Sequence, residues 1–86
     1  MPEGLKDLRD RDRRKGRDDI GLLRTYLDND RNIAETTRLE HMSRSTFRYR
    51  MKKIEETLGL DLDDPDVRLS IQITLRAMES AGGRDG

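Results

Sequence analysis

Apolar residues along this chain recur at three- and four-residue intervals, which is the spacing of one helix face. Leu5 and Leu8 open the pattern in a short amphipathic stretch near 3–14, which Gly16 is placed to end. Ile20, Leu23 and Leu27 form the next stripe, with Leu22 and Tyr26 beside it, and predict a helix from about 18 to 29. Asp18 and Asp19 favour its N-terminus through capping and the helix dipole. A short helix is expected over 33–40, with Asn32 as N-cap and Glu35 at N3 in a capping-box arrangement. The fourth runs from about 44 to 58, opened by Ser43 and closed by Gly59 at C′. A loop over Leu60 to Asp63 leads to a fifth helix from 65 to about 80, with Asp64 as cap and Pro65 at N1. Ala81 to Gly86 is a glycine-rich tail expected to be flexible.

The fifth helix departs from the single stripe of an ordinary surface helix. Val67, Ile71, Leu75 and Met78 share one face, while Leu69, Ile73 and Ala77 make a second on roughly the opposite side. Two apolar faces predict burial against both its own domain and a second subunit, so a homodimer through Leu69, Ile73 and Ala77 is expected. The fold class is therefore all-α, a small domain of about five helices, with an N-terminal helix and basic run over 1–17, the main unit over 18–80 and the tail over 81–86.

Composition limits what such a domain can do. Eighty-six residues leave room for one small domain. Leu, Ile, Val and Phe together number 18, so the core is thin and a partner subunit would add stability. No apolar run approaches the roughly 20 residues of a membrane span, and there is no signal-peptide core, so no membrane partner is expected. Cysteine is absent and histidine occurs once, which removes disulfides, thiolate chemistry and a His-rich metal site. Ser43 and Ser45 lack a base partner for nucleophilic catalysis. Neither enzyme activity, cofactor nor metal is expected.

Charge changes the picture. Lys and Arg number 18 against 18 Asp and Glu, a net charge of zero. The signs are nevertheless segregated. Residues 9–17 carry six positive and two negative charges, 43–53 carry five positive and none negative, and 55–66 carry six acids and no base. Screening confines electrostatic attraction to about 8–10 Å, so the local sign governs contact with phosphate.

The basic run of 43–53 coincides with one helix. At about 100° per residue, Phe47, Met51, Ile54 and Leu58 fall within an arc of about 60° and make the core seam. Ser45, Arg48, Tyr49 and Lys52 lie on the outer side, with Arg44 at the tip. Thr46, Arg50 and Lys53 flank them. A short helix, a turn over His41 to Ser43 and a longer basic helix is helix-turn-helix spacing. Such a helix fits the major groove of double-stranded DNA, with N-terminal residues at base edges and flanking cations on phosphates. Arg44, Ser45, Arg48, Tyr49 and Lys52 are the candidates for the groove. Thr46, Arg50, Lys53 and Arg31 are the candidates for phosphate. Tyr49 has a second reading, as support for a helix–helix interface. His41 reads as an exposed turn residue. Asp61, Asp63, Asp64 and Asp66 lack the glycine and terminal glutamate of an EF-hand, and capping and turn formation explain them better.

The stretch TFRYRMKKIEETLGLDLDDPDVRLSIQITLRAM resembles the C-terminal helix-turn-helix domain of PucR-type (purine catabolism regulator) transcription factors. That domain carries a T-L-R-Y-R-L core, then I-E-x-x-x-G-x-D-L-x-x-P, and a final helix ending in A-L-R. The likeness extends over roughly Leu5 to Met78. It implies a Fis-like helix-turn-helix with an added C-terminal helix, and sequence-specific DNA binding by a bacterial transcriptional regulator with a cytoplasmic location. This chain has Thr37 where the family usually has Ala, Glu40 where it has Leu, and Ser43 and Ser45 where His and Asn are common, so base preference is not carried over. Leu39, next to Glu40, is expected to substitute in part for the missing leucine. The competing reading is an interaction module that keeps the fold, does not bind DNA, and dimerises with itself or a full-length regulator. Zero net charge and Glu40 motivate it.

Overall fold

Five helices make up the structure, a computed structural model that describes the backbone of residues 3–83 and the side chains of residues 3–80. They are α1 (Glu3–Lys15), α2 (Asp19–Asp28), α3 (Ile33–Leu39), α4 (Arg44–Leu58) and α5 (Pro65–Gly83). No strand occurs among the described residues, and none of their helices is long and apolar enough to cross a membrane.

The helix starts are set by short polar side chains that satisfy otherwise orphaned amides. Asp18 accepts from the Gly21 amide at 2.8 Å, Asn32 from Glu35 at 2.9 Å, and Ser43 from Thr46 at 3.2 Å. Asp64 accepts from the Asp66 amide at 2.9 Å, ahead of Pro65. Asp61 likewise accepts from the Asp63 amide at 2.9 Å, so these two acids of the 61–66 run shape the turn. Gly59 ends α4 with φ at +64°, a left-handed conformation that costs a glycine no Cβ clash. One expected detail differs. The Glu35 carboxylate does not return to the Asn32 amide to close a capping box. It pairs with Arg38 one turn on, while the Asn32 amide donates to the Asn29 carbonyl.

The turns need strained residues. Asp30, Arg31 and His41 all have positive φ. This brings the Arg31 amide to the Tyr26 carbonyl at 2.8 Å and the Met42 amide to the Thr37 carbonyl at 3.0 Å. The chain thus reverses between α2 and α3 and turns sharply into α4. His41 is exposed, as expected for a turn residue.

Helix α2 is central and touches each of the other four. Leu22 and Leu23 both have no exposure, because different neighbours cover their two sides. Around them pack Leu5 and Leu8 of α1, Phe47, Met51, Ile54 and Leu58 of α4, Leu62 of the loop, and Ile71 and Leu75 of α5. The α1 leucines therefore belong to the same core as the residues after 18. Gly4 permits a close approach of α1 to α4: a Cβ there would stand 2.6 Å from the Leu58 Cα and carbonyl oxygen.

Helix α5 continues to Gly83, three residues beyond the expected end near 80. Of the tail expected over 81–86, residues 84–86 lie outside the described residues. The two faces of α5 part as the sequence requires. Ile71 and Leu75 are buried, whereas Leu69 is 58% and Ile73 60% exposed, with Ala77 exposed beside them.

Candidate nucleic-acid interface

The seam of α4 is buried and its opposite side is bare. Arg44, Ser45, Thr46, Arg48, Tyr49, Lys52 and Lys53 are all exposed. The turn before α4 is held from inside by Met42, which is half-buried against the core. The tip of α4 therefore projects from a fixed support. All five groove candidates lie on this outward surface. Tyr49 is 62% exposed, so it takes no part in a helix–helix interface within this chain. Its ring lies under the Lys53 ammonium, 5.7 Å from nitrogen to centroid, a contact that steadies both side chains.

The four phosphate candidates are not equivalent. Lys53 is exposed, and Thr46 stands at the N-terminus of α4, where its hydroxyl accepts from Ser43 at 3.1 Å. Arg31 is engaged by Asp63 at 2.9 Å. Arg50 is turned inward. Its Nε and Nη2 donate to the same Asp19 oxygen at 3.0 and 2.8 Å. The other Asp19 oxygen accepts from Arg11 at 3.2 Å, with Arg17 at 3.9 Å. The Asp19 side chain is only 2% exposed. One buried carboxylate thus ties α1 and α4 to the first turn of α2. In this arrangement Arg50 sets the position of α4, and its donors point away from the outer surface.

Sequence reasoning passed over this hub by treating Asp19 as a second capping acid. Two signals bear on it. One acid suffices for the cap, and Arg50 lies on the helix flank between the core seam and the outer side. A second inward polar contact involves Glu40, which stands where the resemblance would put a leucine. The Thr25 hydroxyl donates to its carboxylate at 3.0 Å, which joins α2 to the end of α3. Leu39 does not substitute for the missing leucine, since it is 41% exposed. Thr36, fully buried, donates to the Asn32 carbonyl at 2.7 Å and so enters the core without an unpaired hydroxyl.

The charge pattern along α4 is graded. Its N-terminal two-thirds are basic, and Glu55 and Glu56 follow near the C-terminus. Partial desolvation, then the nearby Asp63 and Asp61, push the Glu55 carboxyl above its ordinary range. Anion attraction is therefore concentrated at the half of α4 adjoining the turn.

Residues 20–77 match the PucR C-terminal helix-turn-helix domain. The "Purine catabolism regulatory protein" of Bacillus subtilis (strain 168) is 37% identical over 65 residues, covering 72% of this chain and 12% of that protein. The chain thus spans about one eighth of the length of that curated relative. No solved structure matches. The matched stretch runs from the first turn of α2 through most of α5, so it includes α3, the turn and the exposed surface of α4. The chain belongs to the family of PucR C-terminal helix-turn-helix domains, a family of DNA-binding transcription regulators rather than of enzymes.

Proposed function

We propose that this domain binds double-stranded DNA sequence-specifically, in the bacterial cytoplasm where the nucleoid lies, with α4 in the major groove. Arg44, Ser45, Arg48, Tyr49 and Lys52 face base edges. Lys53 and Thr46 hold phosphates beside the groove, and Arg31 reaches a phosphate by exchanging its Asp63 partner. Arg50 acts through the position of α4. The observation that supports this reading is the exposed, acid-free surface of α4 from Arg44 to Lys53, on a helix fixed by its own core seam. A guanidinium can read guanine bidentately, and a hydroxyl serves either base or phosphate.

The domain acts as a homodimer, with Leu69, Ile73 and Ala77 of α5 against a second copy. Support comes from the exposure of these three apolar residues on one side of a helix whose other side fills the core. A two-fold dimer places its α4 helices on half-sites about one DNA turn apart, roughly 34 Å.

Binding of operator libraries tests the groove reading. Arg48→Ala is expected to cost about 1–3 kcal/mol and to relax preference at one position. Unchanged affinity in Arg48→Ala combined with Lys52→Ala would remove these residues from the interface. The exposed apolar side of α5 also favours a second reading, an interaction module without DNA binding. Salt titration separates the two: a steep fall of log K with log salt supports phosphate contact, and absence of binding at low salt supports the interaction module.

A further inference from the structure

The groove reading leaves unused the most basic segment outside α4. The last turn of α1 carries Arg13, Arg14 and Lys15, with Arg17 just beyond it, and all four are exposed. None of Arg13, Arg14 and Lys15 forms an ion pair among the described residues, and Arg17 has only the 3.9 Å approach to Asp19. These residues precede the stretch that matches the family.

Packing decides where this charge sits. Gly4 lies against Leu58, Arg11 donates to the Thr57 hydroxyl at 2.7 Å, and Asp19 receives Arg50. Gly4 of α1 thus stands at the C-terminal end of α4, while Arg11 bridges Thr57 and Asp19. Asp19, four residues past the end of α1, receives Arg50, so the chain leads through α1 from the C-terminal end of α4 towards the level of Arg50. The charge gradients of the two helices also run in opposite directions. The exposed acids Glu3 and Asp7 of α1 lie at the end of the molecule that holds Glu55 and Glu56 of α4. The basic end of α1 then lies level with the basic half of α4. Gly4, Arg11 and Lys15 fall on one stripe of α1, at spacings of seven and four residues, and Arg14 adjoins it. The packing of Gly4 and Arg11 makes this the stripe facing α4. It approaches α4 on the flank of Arg50 and Thr57, one step round the helix from Lys53.

We propose that Arg14 and Lys15, with Arg17 beyond them, form a second DNA-binding surface, holding backbone phosphates alongside the groove that α4 enters. This rests on the groove reading above and extends the footprint beyond the helix-turn-helix. The surface is blind to sequence, because phosphates carry no base information. It gives a domain of zero net charge a basic face built from two helices remote in sequence.

The test is fluorescence anisotropy of the full chain on a random-sequence duplex and on its best-bound sequence, across a salt series. The variant is Arg14→Gln with Lys15→Gln, both exposed, and a thermal melt checks that it remains folded. Affinity should fall by a similar factor on both duplexes. The slope of log K against log salt should become shallower by about 0.9 for each phosphate that the variant no longer neutralises. Arg14→Lys together with Lys15→Arg should restore the slope. If the double glutamine variant keeps the parental slope while Arg48→Ala weakens binding to the best sequence, the role of α1 is overturned and the groove reading survives. If the parent chain binds neither duplex at low salt, the groove reading itself falls, and this proposal with it.

Discussion

Replacing Asp19 should damage this domain more than replacing any exposed charge. Its carboxylate accepts two hydrogen bonds from Arg50 and one from Arg11 while almost wholly buried. Hydrogen bonds to charged groups contribute about 1.5–3 kcal/mol each, and breaking a buried ion pair by removing one partner costs about 3–5 kcal/mol. The Arg11 and Arg50 side chains are 18% and 21% exposed, so once released each can regain part of its hydration. Asp19→Asn keeps one acceptor oxygen for Arg50 and loses the charge, and the expected cost is about 2–3 kcal/mol. Asp19→Ala keeps no acceptor and should cost about 3–4 kcal/mol. A chain of this size has a total stability of about 4–13 kcal/mol, so either loss is a large fraction of it. Urea unfolding followed by far-UV circular dichroism measures the change, and the Asp19→Asn midpoint temperature should fall by about 10–20 °C. Arg50→Gln supplies the companion measurement. If Arg50 fixes α4, this variant loses stability and keeps the salt slope of DNA binding. If Arg50 holds a phosphate, it loses slope and keeps stability. An Asp19→Asn variant within about 0.5 kcal/mol of the parent would refute the argument that this buried carboxylate anchors α4.

Three further outcomes are expected. Gly4→Ala gains up to about 1 kcal/mol of helix propensity, but its methyl group meets the Leu58 backbone, and overpacking costs about 1–3 kcal/mol, so chemical denaturation should show a net loss. His41→Gly removes a Cβ from a residue with φ of +53°, and a gain of about 0.5–1 kcal/mol should appear in the same assay; a loss would show that the imidazole supports the turn. Glu55 has a raised pKa in the fold, so its ionisation opposes folding: the penalty is absent below the ordinary carboxylate range and grows as pH rises through the folded value. Glu55→Gln should therefore raise the melting temperature at neutral pH and leave it unchanged near pH 3, and an equal gain at both pH values would exclude the cost of ionising this carboxylate, through desolvation first and then repulsion from Asp63 and Asp61, as the cause.

Local sequence determined the helices and their ends. Apolar spacing and cap residues act within a few positions of one another, so Asp18, Asn32, Ser43, Gly59 and Pro65 mark boundaries without tertiary help. The same periodicity turned the seam of α4 inward and its cations outward, and divided α5 into a buried and an exposed face. Tertiary structure decided what long, flexible side chains do. Arg50 and Lys53 both flank the outer surface of α4 in sequence, yet Arg50 meets a carboxylate 31 positions away while Lys53 stays exposed beside Tyr49. Periodicity carries no information about a partner on another helix, because that partner is chosen by how the helices cross. The place of α1 follows the same rule. Its leucines mark it as amphipathic, but only the close approach of Gly4 to Leu58 and the Asp19 hub align its basic end with that of α4.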